Sequence, residues 1–288
     1  MTELLLHAWS FRFRLARDPS LEWLVERARA DGFAGVGLNA NGPHRRLLED
    51  ADPARLREAL GGLDCDLETT GTDPGQLAEQ LDLAAALGAR HLHTYALPGA
   101  SSAEAIRDLA AIGPIAEDRG VPVLIENHEE LTGVEVARIL EAVDHPFVGA
   151  LFDYGNAMMV REDPLDALDA MLPWVRGAHL KDHVVMHGLV CGVPIGEGVL
   201  PIAEITRRLA DAGMTRIAFE NVWGYTAPFR PRADGLPEET DANPVFRERA
   251  DPGDSAFFLP DVDAAFARDP DRVIALEELA YLRVTRSP

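Results

Sequence analysis

The chain has 288 residues, 47% of them hydrophobic, enough for one domain of about 250 residues with extensions to bury a substantial core. A formal net charge of −21 leaves no cationic footprint for neutralising phosphates, so nucleic acid is not an expected partner. No stretch approaches the roughly 18 apolar residues of a membrane span, the start Met1-Thr2-Glu3-Leu4-Leu5-Leu6-His7 carries no basic leader, and Cys65 and Cys191 stand apart without a CxxC pattern; the expectation is a cytoplasmic protein with no disulfide framework and no membrane partner.

In chain order, short β-rich apolar runs each end in polar residues: Leu4 to Trp9, Ala34 to Leu38, Cys65 to Glu68, His91 to Tyr95, Val121 to Glu126, Val148 to Asp153, Val175 to Lys181, and Ile217 to Glu220. Their ends lie about 26 to 39 residues apart, the length of a strand, a loop and a returning helix. Asp73-Pro74 opens one such helix, with Leu77, Leu81, Ala84 and Ala85 on one face and Gly88 closing it. Thr132-x-x-Glu135 is a capping box ahead of the stripe Val136, Ile139, Leu140 and Val143, and Asp163-Pro164 and Leu200-Pro201 begin two more helices.

Eight strands as apolar as Val123-Leu124-Ile125, alternating with helices, predict an α/β fold: a single-domain (β/α)8 TIM barrel over residues 1–288. The competing doubly wound sheet calls for a Gly-rich phosphate turn after the first strand, and His7-Ala8-Trp9-Ser10-Phe11 supplies none. Residues 224–260 hold six prolines and interrupt the rhythm after strand 8, so they are expected to form an irregular lid over the barrel mouth or an arm to a homo-oligomer partner. A last helix is expected near Arg272 to Arg283.

In such a barrel the C-terminal strand ends share one mouth. Strands 5 to 8 end at Glu126, Asp153, His179 and Glu220, three carboxylates and an imidazole that form a hard donor set suited to one Mn²⁺, Mg²⁺ or Co²⁺ ion, with Zn²⁺ an alternative. A lone strand-end carboxylate more often caps a helix or pairs with arginine, but four adjacent ends of a closed barrel converge on one point. Lys181 follows His179 closely and is the only lysine in a chain whose other formal cations are all arginine; a compact ammonium there suits a small oxyanion. His7, His93, His128, Asn156 and Trp223 are the candidate substrate contacts, with Trp9 a further apolar wall and Asn127 a residue that could orient the carboxylates.

The segments Ile125-Glu126-Asn127-His128, Asp153-Tyr154-Gly155-Asn156, Glu162-Asp163-Pro164, His179-Leu180-Lys181-Asp182, Pro194-Ile195-Gly196-Glu197-Gly198 and Phe219-Glu220 resemble the xylose isomerase-like superfamily of barrels, the sugar phosphate isomerases/epimerases. The resemblance implies that Glu126, Asp153, His179 and Glu220 hold one divalent metal, that Glu126 and Glu220 double as acid/base groups, and that Lys181 lies beside the substrate. The implied activity is metal-dependent isomerisation or epimerisation of a keto-sugar or keto-polyol through an enediolate, Mn²⁺ being the first choice of metal and a small carbohydrate-like molecule the partner. The same enolate chemistry also serves lyases (dehydratase, decarboxylase or keto-glycoside-cleaving), and a non-catalytic barrel subunit is a second alternative. Two positions depart from the pattern: Asn156 stands where many epimerases carry a histidine, and Gly37 where many carry an acidic residue on strand 2.

Overall fold

The computed structural model describes residues 2–41, 44–48 and 52–286. The barrel strands are β1 (Glu3–His7), β2 (Gly35–Asn39), β3 (Asp64–Glu68), β4 (Leu92–Thr94), β5 (Val123–Glu126), β6 (Val148–Asp153), β7 (Val175–Leu180) and β10 (Arg216–Phe219). They are parallel and close in the order β1-β10-β7-β6-β5-β4-β3-β2, because β1 pairs with both β2 and β10. The eight expected runs are these eight strands. Trp9, expected in the first, lies instead in the 3-10 turn after it.

The helices are α1 (Arg12–Arg17), α2 (Leu21–Ala30), α3 (Pro53–Leu60), α4 (Pro74–Leu87), α5 (Ser102–Arg119), α6 (Gly133–Val143), α7 (Pro164–Met171), α8 (Ile202–Asp211), α9 (Val262–Arg268) and α10 (Pro270–Thr285), of which α4, α6, α7, α8 and α10 follow the expected signals. Asp73 accepts the Gln76 N–H, Gly88 ends α4 at φ 72° where a Cβ would be strained, and Thr132 and Glu135 cap each other's backbone at the start of α6. Strand alternation then sorts the side chains: Ile125 and Phe152 join the helix-facing core with Val136 and Ile139, while the next residues, Glu126 and Asp153, turn into the barrel mouth. Among the described residues no helix is long and apolar enough to cross a membrane.

The hairpin β8 (Asp182–Met186) and β9 (Leu189–Val193) was not anticipated. Its turn is His187-Gly188, both at positive φ (53° and 70°), a two-residue connection between the apolar runs Val184-Val185-Met186 and Leu189-Val190-Cys191. β11 (Thr226–Pro228) pairs antiparallel with β9 and brings the start of the proline-rich excursion onto this small sheet.

That excursion is fastened to its own barrel along its length. The Arg230 N–H donates to Met159 O (2.7 Å), the Glu239 N–H to Arg161 O (2.8 Å), and the Arg161 guanidinium lies 4.0 Å from the Phe229 ring centroid. Val245, Phe246, Phe257 and Phe258 are buried, the last two against Val184, Met186, Cys191 and Val193. Detachable flaps do not carry this much buried apolar surface, so the segment is part of the core, and removing residues 227–260 is expected to destabilise the fold along with any function at the mouth.

The final helix docks through a buried acid. Glu277 on α10 accepts the N–H groups of Phe13 (2.8 Å) and Arg14 (3.0 Å), two orphan donors of the first turn of α1. Burial pushes its carboxyl up to about 8, with the two backbone donors and Arg12 opposing the rise. A carboxyl raised above its ordinary value contributes stability that is fully present below that value and is lost as pH rises through the folded-state pKa. The Tm advantage of wild type over Glu277→Gln should therefore shrink between about pH 5 and pH 8 in thermal melts; a constant difference across that window would contradict the shift.

Candidate active site

Glu126 and Asp153 end their strands, His179 lies one residue before the end of β7, and Lys181 and Glu220 come directly after β7 and β10. Parallel register pairs Asp153 with His179 and sets Glu126 beside Leu151, two residues before Asp153. Glu126, Asp153 and His179 each offer a ligand atom, all within 4.8 Å of one another, and all three residues are buried. Asp153 Oδ1 is already occupied by the N–H groups of Gly155 (2.8 Å) and Asn156 (2.9 Å), which leaves Oδ2 aimed at the shared space. Two carboxylates and an imidazole held this way fit a hard divalent ion.

Glu220, the fourth expected ligand, stands outside that group of three and is held by cations. Its Oε2 lies 2.8 Å from Lys181 Nζ and 3.6 Å from His179 Nδ1, and its Oε1 lies 3.2 Å from His7 Nδ1. Lys181 Nζ is also 2.8 Å from Asp153 Oδ2, so one ammonium bridges two of the four carboxylate or imidazole groups expected to bind metal. The two glutamates differ electrostatically. Burial pushes Glu126 up to about 8, Asp153 adding to the rise and His128 opposing it. Burial acts in the same direction on Glu220, but Lys181, His7 and His179 outweigh it and hold that carboxyl well below the usual range. Burial alone would lower Lys181 and His7; Asp153, Glu220 and Glu126 instead hold the ammonium well above its usual value, and Glu220 and Glu68 push His7 up to about 10.

Around these groups lies a cleft of about 500 Å³, counting the open solvent at its mouth, lined by Trp9, Tyr95, Val222 and Tyr225 as well as the polar residues. Of the five expected substrate contacts, His128 and Asn156 line it. His128 stacks on Tyr95 (3.9 Å between centroids) and meets Glu130 through Nδ1 at 3.1 Å, while Asn156 donates to Glu126 Oε1 at 3.0 Å. His7, His93 and Trp223 are not among the lining residues. His7 and His93 are buried among the carboxylates and His179, and Trp223 packs with Phe13, Val262 and Val273 in the core. A strand-end position puts an imidazole in the barrel, but whether it reaches the cleft depends on what the neighbouring strands place above it. Asn127 orients backbone rather than carboxylate: it exchanges hydrogen bonds with Asp153 N–H (2.7 Å) and C=O (3.1 Å), tying β5 to β6.

Two lining acids were missed. Glu68 ends β3, a position fully signalled by its strand, and Glu129 lies in the loop after β5, paired with Arg230 of the excursion (2.7 Å). The Gly196-Glu197-Gly198 turn is structural: Asp182 Oδ2 accepts the N–H of Gly196 and of Gly198, each at 2.9 Å, and Glu197 pairs with Arg283 (2.6 Å).

Comparison with known proteins agrees with this architecture. Protein YihM of Escherichia coli (strain K12) is 26% identical over 245 residues, covering 78% of this chain and 75% of YihM. The 3-oxo-isoapionate decarboxylase of Pectobacterium atrosepticum is 25% identical over 60% of this chain and 65% of its own length, and an inosose dehydratase of Bacillus thuringiensis is 32% identical over 25% of each. Among solved structures, the probable 3-DHS dehydratase AsbF of Bacillus anthracis superposes with a TM-score of 0.58 at 20% identity over 76% of this chain and 92% of AsbF. A D-allulose 3-epimerase of Methylomonas sp. gives 0.61 at 18% identity over 76% and 84%. The pattern of one family covers residues 25–243, most of the barrel and all of the site described above except His7 and Trp9: the chain belongs to the xylose isomerase-like TIM barrel family.

Proposed function

We propose that this protein is a divalent-metal-dependent enzyme that enolises a small keto-sugar or keto-polyol, with isomerisation or epimerisation as the outcome. The observation that carries this reading is the placement of two buried glutamates, Glu126 and Glu220, with the ammonium of Lys181 in one cleft beside a convergent carboxylate and imidazole set. Glu126, Asp153, His179 and Glu220 would hold the metal, Mn²⁺ being the first choice, and when bound it would supply Lewis-acid polarisation of the substrate carbonyl. One glutamate removes the proton next to the carbonyl, and the other returns it to the opposite face or to the neighbouring carbon. Lys181 lies within 2.8 Å of two of the carboxylates and supplies a compact positive charge for the enediolate oxygen. Asn156 fixes one oxygen of Glu126, and Trp9, Tyr95 and Tyr225 give the cleft apolar walls against which the carbon face of a polyol can pack.

The second reading is a lyase, in which the same enolate expels a β-hydroxyl as water or forms on loss of CO₂ from a β-keto acid. It is favoured by similarity to a 3-oxo-isoapionate decarboxylase and to inosose dehydratases.

Incubation with Mn²⁺ and a panel of keto-sugars, keto-inositols and β-keto acids in D₂O separates the readings. Deuterium gained at a carbon of a product with unchanged composition supports isomerisation or epimerisation; loss of water or CO₂ supports the lyase; no metal-dependent conversion or exchange with any member defeats both. Asp153→Ala and His179→Ala should each lower bound metal, read by elemental analysis of purified protein, and unchanged occupancy in both would remove the ligand assignment. Lys181→Arg should keep the charge but misplace it, since a planar guanidinium fits poorly where a compact ammonium reaches two carboxylates. A loss on the order of 10²-fold in kcat with near-normal metal content is expected. Near-wild-type turnover by that variant would assign Lys181 no part in the chemistry.

A further inference from the structure

The sequence pattern places His7 among substrate contacts, yet its ring lies behind the cleft with both nitrogens facing carboxylates, Nδ1 at 3.2 Å from Glu220 Oε1 and Nε2 at 3.2 Å from Glu68 Oε2, and with Nδ1 also accepting the Trp9 N–H at 3.4 Å. The residue is 1% exposed. Its position is set by three adjacent strands. β1 carries His7, β2 places Gly37 directly beside it in the register, and β3 ends in Glu68. A Cβ at Gly37 would strike the His7 ring, so the absent side chain on β2 is what lets the imidazole span from β1 toward the β3 carboxylate. Glu68 stands at the end of β3, and His7 connects it to the site.

The far end of the connection is the carboxylate with the most to lose from a change of rotamer. Glu220 lies just past β10, and its two oxygens have different tasks: Oε2 faces Lys181 and His179, and Oε1 faces His7. The other acid/base candidate, Glu126, has its Oε1 held by the neutral amide of Asn156. With His7 removed, Glu220 Oε1 would lose the imidazole that faces it at 3.2 Å, and the carboxylate would be free to turn both oxygens toward Lys181 and His179.

We propose that Glu68, His7 and Glu220 form a positioning chain in which Glu68 fixes the His7 ring and His7 fixes the carboxylate of Glu220, reserving Oε2 for the metal and the substrate. His7 is a positioning residue that acts through Glu220, and Glu68 acts through His7. The inference rests on the functional reading above for what Glu220 does, but not for how it is held.

The test is a mutant cycle read first without turnover, as Mn²⁺ affinity by competition with a chromophoric chelator, and then as kcat and KM on whichever substrate the panel identifies. His7→Gln should weaken Mn²⁺ binding on the order of tenfold and Glu68→Gln by a few-fold, with the double variant no worse than His7→Gln alone because both act on one carboxylate. In a Glu220→Gln background, His7→Gln should have no further effect. On substrate, kcat should fall on the order of 10²-fold in His7→Gln while KM changes little. A ring that only fills space would lower Tm and leave Mn²⁺ affinity in place. Wild-type affinity in His7→Gln, additive effects of the two substitutions, or an undiminished His7 effect in the Glu220→Gln background would overturn the proposal. If His7→Gln fails to fold, Glu68→Gln measured with and without Glu220→Gln carries the same test. Absence of turnover on every substrate would defeat the functional reading alone, because the affinity cycle does not use turnover.

Discussion

Burying several carboxylates in one low-dielectric space is the constraint on which the rest of this molecule depends. Glu68, Glu126, Asp153 and Glu220 are all nine-tenths or more buried around the barrel mouth. Like charges so placed are tolerated only if donors and cations are supplied at fixed points. Lys181 supplies the central one, bridging Asp153 and Glu220, and His7 supplies another between Glu220 and Glu68. Neutral donors do the remainder: the backbone of Gly155 and Asn156 serves Asp153, and the Asn156 amide serves Glu126. Deleting one partner of such a buried pair costs about 3–5 kcal/mol, since it leaves a charge without compensation.

The barrel was legible because it is built from a local rule applied eight times. Each strand announces itself by an apolar run that ends in polar residues, and period-two alternation makes the last inward-facing residue a mouth residue without further information. Glu126, Asp153, His179, Lys181 and Glu220 could be found that way, and Glu68 obeys the same rule. It was passed over because a strand-end glutamate alone carries no sign that a histidine two strands away will reach it. His7 and His93 illustrate the opposite limit. Their strand positions were read correctly, but exposure to the cleft depends on cross-strand packing, and for His7 on an absent side chain at Gly37, which no single-strand pattern encodes.

The hairpin and the excursion were harder for a related reason. β8 begins immediately after Lys181, so the polar cluster that marks the end of β7 hides the start of another strand, and only the His187-Gly188 turn between two apolar runs gives it away. The proline-rich segment lacks periodicity because it is held by single contacts, namely Arg230 on Glu129, Arg161 on Phe229, and two phenylalanines against the hairpin. Composition correctly marked it as irregular. What composition could not show is that two of its phenylalanines, Phe257 and Phe258, complete a small second core with the hairpin.

The unequal support of the two glutamates has a chemical consequence. Glu220 is gripped by three cationic or potentially cationic groups and is favoured as a carboxylate, while burial and the neighbouring Asp153 favour the protonated form of Glu126. Without a metal the two carboxyls are pushed apart, and the proposed reading would use them as a base on one side of the substrate and an acid on the other. That division serves returning a proton to carbon and protonating a departing hydroxyl equally well. On the proposed reading the scaffold would serve the enolising half of the reaction, and the fate of the enolate would depend on which substrate atom lies opposite Glu126. On that reading the cleft walls Trp9, Tyr95, His128 and Tyr225 would place that atom, and an isomerase and a lyase on this barrel would differ in substrate placement by the aromatic rim rather than in their catalytic set.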